Sequence, residues 1–119
     1  MQKQISDHLS AIRRAIANDD YPLANGGLIS VLEIDPLCVE ANRMRSLLRA
    51  SVGDFAEALA SAVVLTAVEP KHAAYWRLRG EIEIELRFRS SAMRSLNTAM
   101  ELGLDDSEIR GLLEAANRL

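Results

Sequence analysis

The chain has 119 residues, of which 49% are apolar and 26% are charged, so it is large and hydrophobic enough to fold around a single core. This composition excludes an intrinsically disordered chain. The net charge of -3 provides no overall positive field, and we therefore expect no nonspecific binding to nucleic acid.

Cys38 is the single cysteine, so the chain cannot form an internal disulfide or a thiolate zinc site. This cysteine usage favours a reducing compartment, and we expect a cytoplasmic location. Charged residues interrupt the apolar positions of residues 1–17, so we expect no secretory signal peptide. The longest apolar stretch, residues 55–68, is shorter than the roughly 20 residues of a membrane span. We therefore expect no membrane insertion.

The first predicted element is an amphipathic helix whose apolar side chains recur on one face, at Ile5, Leu9, Ile12 and Ile16. The polar residues at 18–20, followed by a proline, predict a short turn into a second helix. That second helix contains Gly26 and Gly27, each of which costs about 1 kcal/mol relative to alanine. The pair indicates either a weak helix or a close approach by a neighbour.

The sequence repeats with an offset of 34 residues, which predicts three copies of one helical hairpin at residues 5–38, 39–72 and 73–106. Pro36 and Pro70 are separated by this offset, and each follows an acidic residue. The same offset aligns small or apolar residues in all three copies: Ala24, Ala58 and Ala92; Leu28, Ala62 and Leu96; Val31, Leu65 and Ala99; Ile34, Val68 and Leu102.

The third copy contains one conflicting signal, because residues 81–86 alternate acidic and apolar side chains as a half-buried strand would. The 34-residue register places this segment on the first helix of the third hairpin. Glutamate, leucine and arginine are also good helix formers. We therefore predict a helix.

A seventh helix is predicted over residues 107–119. Asp105 and Glu108 form an Asp-x-x-Glu pattern that can cap its start. An apolar stripe then follows, at Ile109, Leu112, Leu113 and Ala116. A stacked array leaves the apolar face of its last repeat uncovered, and a terminal helix with one polar face is the usual remedy.

The pattern resembles the tetratricopeptide repeat over residues 5–104, most closely in residues 53–59 with Pro70, and in Trp76 and Gly80 with Ala92 and Ala99. The resemblance implies a single all-α domain: a right-handed superhelical stack of three antiparallel helix-turn-helix repeats, an α-α superhelix, with a capping helix. Three positions depart from the family pattern. Ile12 stands where a small residue is usual, the second copy lacks the aromatic residue of its first helix, and Leu104 replaces a closing proline.

The resemblance also implies that the first helices of the hairpins line a concave groove that binds a partner. The outward positions on these helices are Leu9, Arg13, Arg43, Leu47, Arg77, Glu81 and Ile84. Arginine binds carboxylates through paired hydrogen bonds, so this mixture suits a helical or extended peptide with acidic groups. The alternative is a solvated face on which Arg77 and Glu81 pair with each other.

Some members of the family hold a peptide's terminal carboxylate with a Lys/Asn/Arg clamp in the groove. The corresponding positions here are Leu9, Arg13, Met44, Ala74 and Leu78, so the sequence does not support recognition of a heat-shock chaperone tail.

A second candidate surface lies on the convex side of the second hairpin. Positions that are usually charged there are apolar, at Ala56, Ala60, Val63, Val64 and Ala67, and Gly26 and Ile29 extend this strip. A helix that is apolar all round is normally buried all round, which favours a partner chain or a homodimer on this face. The alternative is simple tolerance of alanine and valine on a shaded surface.

We expect no catalytic, cofactor or metal site. His8 and His72 lie outside any metal-ligand spacing, and the nucleophile and phosphate-loop motifs are missing. Glu81, Glu83 and Glu85 diverge around a helix. The four arginines between residues 77 and 89 are interleaved with acids, which argues against a nucleic-acid face.

The sequence therefore favours an adaptor or chaperone that binds a segment of another protein. Two alternatives stay open. One is a bacterial type III secretion chaperone, which small proteins with three such repeats resemble. The other is a non-catalytic regulatory or targeting subunit of an enzyme.

Overall fold

The computed structural model describes all of residues 1–119 and measures 42 × 26 × 21 Å. It consists of seven α-helices: α1 (Gln2–Ala17), α2 (Tyr21–Ile34), α3 (Val39–Ser51), α4 (Phe55–Val68), α5 (Ala73–Glu85), α6 (Arg89–Glu101) and α7 (Ser107–Asn117). Consecutive helices pack on one another along the whole chain. The all-α superhelical stack predicted from the sequence is confirmed. None of the seven helices is long and apolar enough to cross a membrane.

The turn between the two helices of each hairpin has the same backbone shape in all three copies. Asp19, Gly53 and Arg87, spaced 34 residues apart, have φ angles of 56°, 81° and 63°. In each turn the following residue donates its backbone N–H to a carbonyl five residues earlier, at 2.8 Å. This 6→1 hydrogen bond closes the first helix and reverses the chain. All three hairpins thus reverse the chain through the same turn geometry.

The end of α6 explains why the third copy lacks a closing proline. The first two hairpins end where Asp35 and Glu69 precede prolines. Gly103 instead adopts a φ of 109°, and Leu104 donates its N–H to the carbonyl of Ala99 at 3.1 Å. A glycine with positive φ ends the helix at this position, so no proline is needed there.

Three helices are capped by aspartate. Asp20, Asp54 and Asp106 accept hydrogen bonds from backbone N–H groups of α2, α4 and α7. The predicted capping box of Asp105 and Glu108 is wrong, because Asp106 is the residue directly before α7. Asp105 pairs with Arg110 at 3.1 Å instead.

The helix predicted at residues 81–86 is confirmed, because α5 extends to Glu85. Its alternating pattern is misleading because the middle acid points inward. Glu83 is 2% exposed, and its carboxylate accepts a hydrogen bond from the Ser95 hydroxyl at 2.5 Å. The other buried residues of α5 are Gly80, which lies one helical turn before Glu83, and Ile82.

The core consists of three apolar clusters along the stack. The first joins α1, α2 and α3, the second joins α4 and α5, and the third joins α6 and α7. Ile109 and Ala116 of α7 are fully buried in the third cluster, with Leu112 and Leu113 packed against it. The seventh helix thus covers the apolar face of the last hairpin, as its stripe predicts.

Gly27 and Gly80 permit close helix contacts within their hairpins. A Cβ on Gly27 would lie 2.6 Å from Cγ1 of Ile12, and one on Gly80 would lie 2.7 Å from Cγ of Leu96. Ile12 therefore occupies its position, where a small residue is usual, because the facing helix supplies the small residue instead. Nothing lies within 4 Å of a Cβ built on Gly26, so only one glycine of the pair has this role.

The two neighbouring glycines provide a matched test of this packing. We expect Gly26→Ala to raise the free energy of unfolding by about 1 kcal/mol, because alanine has the higher helix propensity. Gly27→Ala should lower it by about 1 kcal/mol net, since overpacking against buried Ile12 exceeds the gain in propensity. Urea denaturation followed by circular dichroism measures both. Equal stabilisation by the two variants would contradict the close contact.

Candidate functional site

A cleft of about 400 Å³ lies between α1, α3 and the start of α2. Five of its eight lining residues are hydrophobic. The lining residues are Arg13, Ile16, Tyr21, Arg43, Met44, Leu47, Leu48 and Ser51. A volume of this size, largely apolar with a few polar groups, is typical of a ligand site.

A second cleft of about 240 Å³ lies between α3 and α5. Leu47, Ala50, Phe55, Leu78, Glu81, Ile82 and Glu85 line it. Leu47 belongs to both clefts and is 46% exposed. The two clefts therefore form one groove along α1, α3 and α5, with the Leu47 side chain at its centre.

The charge of the groove changes along its length. At the α1–α3 end, Arg13 is paired with Glu40, whereas exposed Arg43 forms no ion pair. At the α5 end, Glu81 and Glu85 line the second cleft. The groove thus has a free positive charge at one end and carboxylates at the other.

Arg77 is not available as a free cation. Its guanidinium donates to Glu81 at 2.8 Å and to Glu108 of α7 at 2.7 Å. The hydrogen bonds to Glu108 and then Glu81 raise the pKa of Arg77 above its ordinary value, against a smaller opposing effect of burial. The sequence predicted a pair with Glu81 as the alternative to ligand binding, and the structure contains that pair.

Of the seven predicted groove residues, four line the two clefts and three do not, namely Leu9, Arg77 and Ile84. Arg13, Arg43, Leu47 and Glu81 line the groove. The prediction for Leu9 is wrong: it is 7% exposed and packs in the core cluster of α1–α3. Ile84 is half-buried and packs against the cluster of α6 and α7, and it lines neither cleft.

Several lining residues were missed by the sequence analysis. Ile16 and Ser51 lie one helical turn beyond Arg13 and Leu47, so extending the same periodicity would have found them. Tyr21 and Phe55 begin the second helices of their hairpins, and only the turn geometry directs them into the groove.

The convex strip is exposed over most of its length. Val63 and Ile29 are 39% and 42% exposed, and Ala56, Ala60, Ala67 and Gly26 are also exposed. Val64 is half-buried. The strip is therefore made mainly of small side chains, and the homodimer stays a prediction.

Val63→Asp tests the homodimer with little risk to folding, because Val63 is exposed whereas Val64 is not. If the strip joins two copies, the buried aspartate should dissociate the dimer. Light scattering after size-exclusion chromatography measures the mass. Arg14→Asp, at an exposed position on α1, is the control. A wild-type monomer at all concentrations contradicts the prediction.

No group of three or more His, Cys, Asp or Glu is placed to hold a metal ion. His72 stacks on Tyr75 with ring centroids 3.9 Å apart, and His8 lies on α1. Buried Glu83 lies 3.6 Å from the Arg79 guanidinium.

Known structures share this fold. The TPR2B domain of yeast Sti1, in its pHsp70 complex, superimposes with a TM-score of 0.83 at 17% identity over 98% of both chains. MamA superimposes with a TM-score of 0.93 at 16% identity, over 99% of this chain and 64% of MamA. An O-GlcNAc transferase from Thermobaculum terrenum gives a TM-score of 0.77 at 24% identity, over 97% of this chain and 22% of the transferase.

These likenesses show that the chain has the tetratricopeptide repeat fold. No protein-family model matches the sequence, and no curated protein is significantly similar to it.

Proposed function

We propose that this tetratricopeptide-repeat-type chain is an adaptor or chaperone that binds a segment of another protein in its concave groove. The observation that carries the proposal is the continuous groove centred on exposed Leu47. An exposed leucine between two apolar clefts suits an apolar side chain of a ligand. The TPR2B domain of Sti1, a neighbour in fold, is itself in a complex with pHsp70.

The charges of the groove favour one orientation of the ligand. Arg43 has no carboxylate partner, so an acidic side chain gains a charge-assisted hydrogen bond there. Glu81 is already engaged by Arg77, whereas Glu85 is exposed and forms no ion pair. A segment with an acidic residue near α1–α3, a central apolar residue and a basic residue near α5 fits this pattern.

The ligand differs in chemistry from a heat-shock chaperone tail. Two of the positions that a carboxylate clamp needs are Leu9 and Met44, which are each 7% exposed and packed in the core. Leu78 at a third position is apolar and lines the second cleft. The groove offers no clamp for a terminal carboxylate, so we expect it to bind an internal segment.

The test uses synthetic decapeptides that carry one aspartate, one leucine and one lysine in varied order, with both ends blocked. Fluorescence polarisation identifies the tightest peptide. Arg43→Glu should weaken the binding of that peptide by about tenfold, which corresponds to about 1.4 kcal/mol of binding free energy. Reversing the order of aspartate and lysine in the peptide should weaken its binding to the wild type as well.

Arg14→Glu is the matched control, because it makes the same charge change on an exposed residue outside the groove. Arg77→Glu is a poor variant, since it also removes the link between α5 and α7. Equal affinity of the wild type and Arg43→Glu for every peptide would refute the proposed groove.

A further inference from the structure

A polar pocket of about 280 Å³ lies between α5 and α6, on a different face of α5 from the groove. Its lining comprises two arginines, three hydroxyl side chains and the single tryptophan: Arg79, Arg94, Ser91, Ser95, Thr98 and Trp76. No acidic residue lines the pocket. We name this the α5–α6 pocket.

The walls of the pocket are held in place by contacts outside it. Trp76 donates its indole N–H to the carbonyl of Pro70 at 2.7 Å. The Arg79 guanidinium lies over the Trp76 ring at 5.5 Å from its centroid, and donates to the Thr66 hydroxyl of α4 at 3.0 Å. Contacts with α4 and with the turn before α5 therefore hold Trp76 and Arg79 in position before any ligand arrives.

The second hairpin shows what occupies the equivalent place there. The 34-residue offset aligns Arg79 with Arg45 and Ser95 with Ser61. Arg45 donates to the Glu57 carboxylate and also to the Ser61 hydroxyl, at 3.3 Å for the latter. In the second hairpin, Arg45 thus binds a carboxylate supplied by the chain itself, and the Ser61 hydroxyl is a second acceptor for the same guanidinium.

The third hairpin lacks this carboxylate and adds a positive charge. Ser91 stands at the position of Glu57, and Arg94 stands at the position of Ala60. Arg94 forms no ion pair, and its only side-chain hydrogen bond is a long one of 3.4 Å to the Ser91 hydroxyl. The side chain of Arg94 is exposed and its guanidinium is free to bind an anion.

The balance of charge favours an external anion. Buried Glu83 lies 3.6 Å from Nε of Arg79, and it accepts the hydroxyl of Ser95 at 2.5 Å. Glu83 therefore offsets the charge of Arg79 and leaves that of Arg94 uncompensated. Ser91 and Thr98 place two further hydroxyl groups at the pocket.

We propose that the α5–α6 pocket binds a carboxylate group from outside the chain, in the place that Glu57 fills in the second hairpin. The pocket is smaller than a typical site for a drug-sized ligand, which suits a short dicarboxylate or one acidic side chain. This site is separate from the groove, and its occupancy does not depend on the proposed function.

Trp76 provides the measurement, because it is the only tryptophan and lines the pocket. Glutarate is titrated against the intrinsic fluorescence of the full chain at constant ionic strength, with sodium chloride and inorganic phosphate as parallel titrants. We expect a saturable response to glutarate, a weaker one to phosphate and none to chloride. A response to phosphate alone, or an equal response to chloride, overturns the carboxylate assignment.

Two variants test the site itself. Arg94→Gln should weaken the binding of glutarate by about tenfold, because a charged hydrogen-bond donor is lost. Ser91→Glu restores the arrangement of the second hairpin, and its own carboxylate should abolish the response without lowering the melting temperature. An unchanged glutarate affinity in either folded variant overturns the proposal.

Arg14→Gln is the control for net charge and should keep the wild-type response, since it lies outside the pocket. Arg43→Glu should also keep it. Loss of the glutarate response in Arg14→Gln would show that overall charge controls the signal, which overturns the pocket assignment. A wild-type glutarate response in Arg43→Glu shows that the signal does not come from the groove.

Discussion

The two helices of each hairpin meet at one crossing, and the rest of the structure depends on how closely they approach there. Each hairpin meets this requirement with different residues. Ile12 faces Gly27 in the first, the hydroxyl of Ser46 donates to the carbonyl of Ala58 at 3.0 Å in the second, and Gly80 faces Leu96 in the third. What the three share is a combined size small enough for contact. Each hairpin therefore reaches a close helix contact through a different pair of residues.

That crossing explains which residues reach the groove. Burying one face of α1, α3 and α5 at the crossings directs other faces toward the groove, where Leu47 and Glu81 lie. Leu9 lies on the buried face of α1 with Ile5 and Ile12. The difference in charge between the two ends of the groove arises from ion pairs between helices. Glu108 of the capping helix engages Arg77 and leaves Arg43 as the free cation.

The sequence predicted the fold because the 34-residue period is carried by core and turn positions, where only a few residue types fit. The groove was harder to predict. Arg13 and Arg77 have the right positions, but their charges are balanced by Glu40 and Glu108, which are 27 and 31 residues away in the chain. Such partners follow from the packing of separate helices, and helical periodicity within one element carries no information about them. The cap at Asp106 was missed for a simpler reason, since two aspartates are adjacent and only the backbone distinguishes them.

The repeats diverge most where divergence costs the fold least. Ala58 and Ala92, at equivalent positions, are both fully buried and identical, whereas exposed Ala60 corresponds to exposed Arg94. Surface substitutions of this kind change stability by a few tenths of a kcal/mol, so the scaffold tolerates them. The exchange of Glu57 for Ser91 is another such substitution. It removes the carboxylate that pairs with Arg45 in the second hairpin. The same architecture that made the chain recognisable therefore leaves its surface chemistry free to differ from one repeat to the next.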